Sequence, residues 1–303
     1  MTTAPIEPPQ RLVSSLSGDP SGPAGEWLAA LPTLVQQRLD AWQLTLERVQ
    51  TPGGRSSLLA LVRQPDGTPA ALKLPVPGRV PAQEGAALEA WDGFGAARLL
   101  RTDEASGALL LERLQGAVSL RSLPEAKALL EAAGTVRRLW VPAAAGHPFE
   151  TLAGRTDEAV RALRAAGTLT RSADPLVEQA AELRRALPDG CDEQFLLHGA
   201  FRQGKVLAGE RTPWLAVGPA PVVGERAFDL AALVLDRFED LMAGSGAGAA
   251  ARRRVARLAD SLEVDRDRLR DWTLYRAVDT GVREVAAGAR QQGELLLEFA
   301  AWL

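Results

Sequence analysis

The chain is short of most of the residues that do chemistry at side chains. Its 303 residues include one cysteine, Cys191, two histidines, His147 and His198, one tyrosine, and three lysines, Lys73, Lys127 and Lys205, among 35 basic residues. A single cysteine excludes an internal disulfide and fits a reducing compartment. Cys191, a small residue at a loop edge before Asp192, reads as inert. His147 lies in Ala-Gly-His-Pro and reads as a solvated loop residue, and His198 has no aspartate beside it to act with. No run approaches the roughly 20 apolar residues of a membrane span. The opening MTTAPIEPPQRLVSSL lacks the basic start and apolar core of a signal peptide, so a cytoplasmic location is expected. The net charge of -3 gives no reason to expect nucleic acid or an anionic membrane as a partner. What is present, 46% hydrophobic and 24% charged residues, is the make-up of a globular protein with room for one large or two ordinary cores.

Periodicity divides the chain in three. Residues 1–23, rich in Pro, Ser and Gly, read as a mobile tail. Residues 24–116 read as a sheet lobe with a leading helix, in which Trp27, Leu28, Leu31, Leu34, Val35 and Leu39 recur at helical spacing. Strand-like runs follow at Gln43–Val49, Ser57–Arg63 and Ala70–Leu74, the first two ending at Thr51-Pro52-Gly53-Gly54 and Pro65-Asp66-Gly67-Thr68. A helix at about 82–91 and strands at Ala96–Leu100 and Ala108–Leu114 complete a five-stranded, largely antiparallel sheet. Residues 117–303 read as a helical lobe, with helices at about 124–139, 156–166, 175–187, 227–241, 250–262 and 266–288 and a last one in 294–303. Short strands at 205–209 and 213–217 interrupt it. The fold class is α+β, a small sheet lobe followed by a larger helical lobe, with a cleft expected at the junction 114–120.

Two stretches carry the chemical information. One is Leu197-His198-Gly199-Ala200-Phe201-Arg202-Gln203-Gly204-Lys205-Val206-Leu207, and the other is Pro213-Trp214-Leu215-Ala216-Val217-Gly218-Pro219-Ala220-Pro221. Upstream, in order, stand Lys73 in Ala-Ala-Leu-Lys-Leu, Glu84 on the next helix, and Leu110-Leu111-Glu112-Arg113-Leu114; downstream is Ala227-Phe228-Asp229-Leu230-Ala231. Phosphoryl transfer needs a lysine on the phosphates, metal ions held by oxygen ligands, and a base near the acceptor hydroxyl. The first requirement has a candidate in Lys73, with Glu84 as ion-pair partner.

Taken in this order the motifs resemble the streptomycin 6-kinase and hydroxyurea phosphotransferase branch of the aminoglycoside phosphotransferases. Trp42-Gln43-Leu44, Leu88 to Gly93, Arg98-Leu99-Leu100 and Arg268-Leu269 with Trp272 add to the likeness, which covers about residues 24–290. The resemblance implies a bilobal kinase-like fold and transfer of the ATP γ-phosphate to a drug hydroxyl with magnesium. It implies nucleotide contacts at Lys73, Glu84, Leu111, Glu112 and Leu114, and structural roles for His198 and for Asp229, which would tie down the catalytic-loop backbone. It also implies a base at 200, a metal-binding amide at 205 and a metal-binding carboxylate at 218, where this chain has Ala200, Lys205 and Gly218. Arg202 and Ala220 depart from the pattern as well.

Three functions follow from these departures. The first is a pseudokinase, a ligand-binding or regulatory protein, inactive as a kinase, with a cationic cleft. No metal is expected there, and Arg202 and Lys205 would hold a small anionic ligand or nucleotide, ATP without magnesium included. The second is an active ATP-dependent small-molecule phosphotransferase in which Glu225, Asp229 or Glu210 replaces a missing group. The third is a repurposed enzyme with non-kinase chemistry. Any protein partner is not legible.

Overall fold

The computed structural model describes residues 6–16, 22–78, 80–157, 174–189, 191–242, 244 and 246–303. The chain divides into two compact units, Met1–Ala117 with Ala208–Val217, and Val118–Leu207 with Gly218–Leu303.

The first unit is built on a five-stranded sheet of β1 (Thr45–Val49), β2 (Ser57–Arg63), β3 (Pro69–Pro75), β4 (Leu99–Asp103) and β5 (Ala108–Glu112), in the order β1-β2-β3-β5-β4. Every neighbouring pair is antiparallel. Side chains alternate between faces along a strand. Leu58, Ala60 and Val62 of β2, Ala70, Leu72 and Leu74 of β3, and Ala108 and Leu110 of β5 therefore form one buried apolar face. The helix Pro23–Trp42 covers it with Trp27, Leu31, Val35 and Leu39, one residue per turn. Pro23 starts that helix, where a missing N–H costs nothing, and Gln43 ends it in the left-handed region at φ 55°. The opposite face carries Lys73, and the helix Val80–Trp91 packs there.

Three expectations in this unit need correction. Residues 10–16, read as part of a mobile tail, form a helix whose Leu12 is fully buried in the same core; its apolar side chain outweighs the loop-forming composition around it. The fourth strand is Leu99–Asp103, not Ala96–Leu100, because Leu99, Arg101 and Thr102 take the pairing positions opposite Leu111, Leu110 and Leu109, while Ala96 bridges to Ala216. A further strand, β6 (Gln115–Ser119), has mostly exposed side chains and so no apolar alternation to announce it.

The second unit is mainly helical, with helices Glu125–Leu139, Asp174–Asp189, Arg226–Leu235, Phe238–Met242, Ala247–Leu262, Arg266–Ala286 and Arg290–Ala300. The helix expected at 156–166 falls largely outside the described residues; 152–157 are helical. The strands that complete the chain are β7 (Val141–Pro142), β8 (Phe195–Leu197), β9 (Val206–Ala208), β10 (Trp214–Ala216) and β11 (Val222–Gly224). β8 lies between β11 and β7 in a small antiparallel sheet that the sequence reading missed, since runs of two or three residues are too short for a period. The helix expected at 227–241 is broken at Asp236-Arg237, and Arg237 sits at φ 54°. The break has identifiable causes: Arg254 donates to the carbonyls of Val234 and Asp236, and Arg237 donates to those of Leu120, Arg121 and Leu123. Among the described residues no helix is long and apolar enough to cross a membrane.

Candidate functional site

In the first unit the Lys73 side chain leaves β3 on the face away from the main core, paired across the sheet with Leu59 and Leu109. Its Nζ lies 2.6 and 2.5 Å from the two carboxylate oxygens of Glu84, which is 2% exposed. A carboxylate this buried is tolerated only when a cation satisfies it. Lys73 is thus fixed in direction by a partner eleven residues on. Leu111 is buried in β5 opposite Ala71. The Glu112 carboxylate accepts from the backbone N–H of Arg98 and from the guanidinium of Arg211 at 3.0 Å each, so it ties the segment 208–217 to the sheet. Leu114 packs against Gly209.

In the second unit His198 follows β8 and Gly199 turns the chain at φ +74°. A Cβ at Gly199 would collide with the carbonyl oxygen of Ala220, so the turn admits glycine alone. Asp229, on the helix Arg226–Leu235, is fully buried, and its two oxygens accept the backbone N–H groups of His198 and Gly199, each at 2.8 Å. Burial pushes the Asp229 pKa above the ordinary carboxylate value, and the two N–H bonds, Arg276 and Trp140 pull against that rise. The imidazole of His198 is buried too. Its Nδ1 accepts the N–H of Ala200 at 3.3 Å and its ring meets Phe201 edge-on, so it acts on the backbone of its own turn.

The loop beyond is held at several further points. Asp236 accepts the N–H of Gln203 at 2.5 Å, and the N–H of Ala220 bonds the carbonyl of His198 at 2.9 Å. Arg155 donates to the carbonyls of Ala220 and Pro221 at 2.7 and 2.8 Å while its Nε meets Glu150. The Nζ of Lys205 donates to the carbonyl oxygen of Gly218 at 2.7 Å, and Arg202 is exposed. Lys205 and Gly218 are therefore brought together, with Ala200 and Ala220 in the same braced segments. Asp236 and Arg155 were missed by sequence reasoning. Asp236 had a signal: in the helix expected at 227–241 it lies seven residues after Asp229, two helical turns, which predicts a shared face for the two carboxylates. Arg155 had none.

The carboxylates considered as replacements are committed elsewhere. Glu225 is buried and paired with Arg268 at 2.5 and 2.7 Å, and Asp229 is spent on the turn. Glu210 is exposed in the first unit. His147, expected to be solvated, is half-buried and stacks on Phe149. Burial pushes the Cys191 thiol pKa up.

A family model described as Aminoglycoside/hydroxyurea antibiotic resistance kinase matches residues 41–288. The chain belongs to this family. It is 34% identical to the Streptomycin 6-kinase of Streptomyces glaucescens over 95% of this chain and 94% of that protein. It is 37% identical to the Hydroxyurea phosphotransferase of Kitasatospora aureofaciens over 88% and 77%. A thermostable mutant of the aminoglycoside phosphotransferase APH(4)-Ia, crystallised in ternary complex with ADP and hygromycin B, matches with a TM-score of 0.59 at 14% identity, over 88% of this chain and 96% of that one. That likeness shows the fold, a kinase-like α+β architecture.

These relatives correct the first function drawn from the sequence. A pseudokinase reading took the departures at 200, 205 and 218 as loss of activity, yet proteins more than a third identical over most of the chain are named as kinases and phosphotransferases. Magnesium, which the family implies, does not fit the side chains present. The carbonyl of Gly218 already receives an ammonium, where magnesium would require an oxygen shell.

Proposed function

We propose that the chain is an ATP-dependent phosphotransferase acting on a hydroxyl group of a small molecule of the antibiotic kind, with streptomycin and hydroxyurea as the first acceptors to try. The observation that carries the reading is the Lys73–Glu84 pair, a buried carboxylate aiming a lysine from the third strand of the sheet unit. Kinases use this pair to place a cation on the nucleotide phosphates. The relatives named as Streptomycin 6-kinase and Hydroxyurea phosphotransferase support the acceptor class.

In the reaction the bond from the γ-phosphorus to the ADP oxygen breaks, a bond to the acceptor oxygen forms, and the hydroxyl proton passes to a phosphoryl oxygen or to water. The transition state of phosphoryl transfer is loose, so positioning and charge do most of the work and little covalent chemistry falls to the protein. An alanine at 200 then slows the reaction without stopping it. From a kinase rate of roughly 1–100 per second, loss of a base removes about 10²–10⁴-fold, which leaves turnover between about 10⁻⁴ and about 1 per second.

The test incubates the purified chain with ATP and each acceptor and looks for ADP and the phosphorylated acceptor in equal amounts. Product formation that disappears in Lys73→Met supports the reading. ADP without phosphorylated acceptor, or product unaffected by that substitution, refutes it.

A further inference from the structure

Arg254 is buried at 6% exposure and belongs to none of the motifs on which the phosphotransferase reading rests. We infer that Arg254 is a positioning residue for the loop 202–205: it secures the helix break at Asp236-Arg237, and the break delivers the Asp236 carboxylate to that loop. The inference rests on the phosphotransferase reading and adds what sets the geometry of the loop beyond Ala200.

The observations that carry it all lie within the second unit. One nitrogen of Arg254 donates to the carbonyl of Val234 at 3.0 Å and to that of Asp236 at 2.8 Å, and another meets Glu125 at the start of the helix Glu125–Leu139. The last carbonyls of a helix lose their partners when the helix stops, and a buried carbonyl left without a donor is costly. Arg254 supplies the donors from the helix Ala247–Leu262, so the chain can leave the helix after Leu235. Asp236 then takes an extended backbone, φ -66° and ψ 133°, and its carboxylate accepts the N–H of Gln203 at 2.5 Å. On the other side of the break Arg237 grips the carbonyls of Leu120, Arg121 and Leu123, so the chain is held both before and after Asp236. Asp229 fixes the turn at His198 and Gly199, and Asp236 fixes the loop beyond it. Gln203 is 1% exposed, so water does not replace the carboxylate when Asp236 moves. Arg254 acts on the loop through Asp236 alone.

The experiment measures backbone hydrogen exchange over 201–207 by mass spectrometry, and initial rates of ATP-dependent transfer to streptomycin and to hydroxyurea. Both are read well below melting on the full-length chain, as wild type, Arg254→Met, Asp236→Ala and the double variant. Each single substitution should speed exchange over 201–207 by about tenfold or more, the worth of one hydrogen bond to a charged group. Each should lower kcat by about tenfold or more with KM for ATP unchanged, since a displacement of about 1 Å made far from the chemistry can cost about 10²-fold. The double variant should be no worse than the more affected single, because both break one chain of contacts. If Arg254→Met lowers the urea midpoint but leaves exchange over 201–207 and kcat as in wild type, its role is structural alone and the inference is overturned. Losses that multiply in the double variant, or a raised KM for ATP with kcat unchanged, overturn it as well. If wild type transfers phosphate to neither acceptor, the phosphotransferase reading falls, and the exchange rates by themselves decide whether Arg254 sets the loop. Should Arg254→Met fail to fold, Arg254→Gln, which keeps one donor for the carbonyls, is read in its place against the same outcomes.

Discussion

Replacing Asp229 with alanine should destabilise the second unit by about 2–4 kcal/mol. The side chain is fully buried, and each of its oxygens accepts one backbone N–H at 2.8 Å, from His198 and Gly199. Alanine would leave two buried donors without an acceptor, at about 1–3 kcal/mol each. Part of that is offset, because burial opposes the charged form of Asp229 and its removal relieves that cost. Against a total stability of about 5–15 kcal/mol the loss is a large fraction. Asparagine keeps one acceptor oxygen and turns an NH2 group toward the second donor, so it should recover about half at most. Urea unfolding reads the effect: the midpoint should fall with an unchanged slope, in the transition that belongs to the second unit. An alanine variant within about 0.5 kcal/mol of wild type would refute the reasoning, since it would mean that the turn at His198-Gly199 does not depend on this carboxylate.

Two further perturbations probe other parts of the structure. Gly199→Ala meets both a left-handed backbone and the carbonyl of Ala220, and should cost at least about 3 kcal/mol in the same urea assay. The hydrogen bond from Arg113, aided by Arg63, holds the Glu47 carboxyl below its usual pKa. A depressed carboxyl pKa stabilises fully above the unfolded value of about 4.3 and loses that contribution as pH falls through the folded value. Glu47→Gln should therefore lower the melting temperature near neutral pH, and its difference from wild type should shrink below about pH 4; a difference independent of pH would contradict this.

The sheet unit was legible because its strands alternate and its turns carry Pro, Gly and Asp. The register followed from burying Leu58, Ala60 and Val62 on the face that Trp27, Leu31, Val35 and Leu39 cover. Lys73 and Glu84 could be named because motif order placed both, and the structure joins them. The strands Phe195–Leu197 and Val222–Gly224 were not read from the sequence, and neither was the break after Leu235, which depends on Arg254 and on carbonyls more than a hundred residues upstream. At the site, residue types at 200, 205 and 218 were plain, but their meaning was misread. Side-chain identity shows which groups are absent, whereas Lys205 lying on the carbonyl of Gly218 is a backbone relation that no motif encodes.

The central claim is tested most directly by transfer of labelled γ-phosphate from ATP to streptomycin and to hydroxyurea, measured as initial rates for wild type and Lys73→Met. The account predicts slow turnover, of about 1 per second or below, with the label on the acceptor, and a loss of about 10²-fold or more in the variant. Label found only in inorganic phosphate, or rates identical in the two proteins, would contradict it.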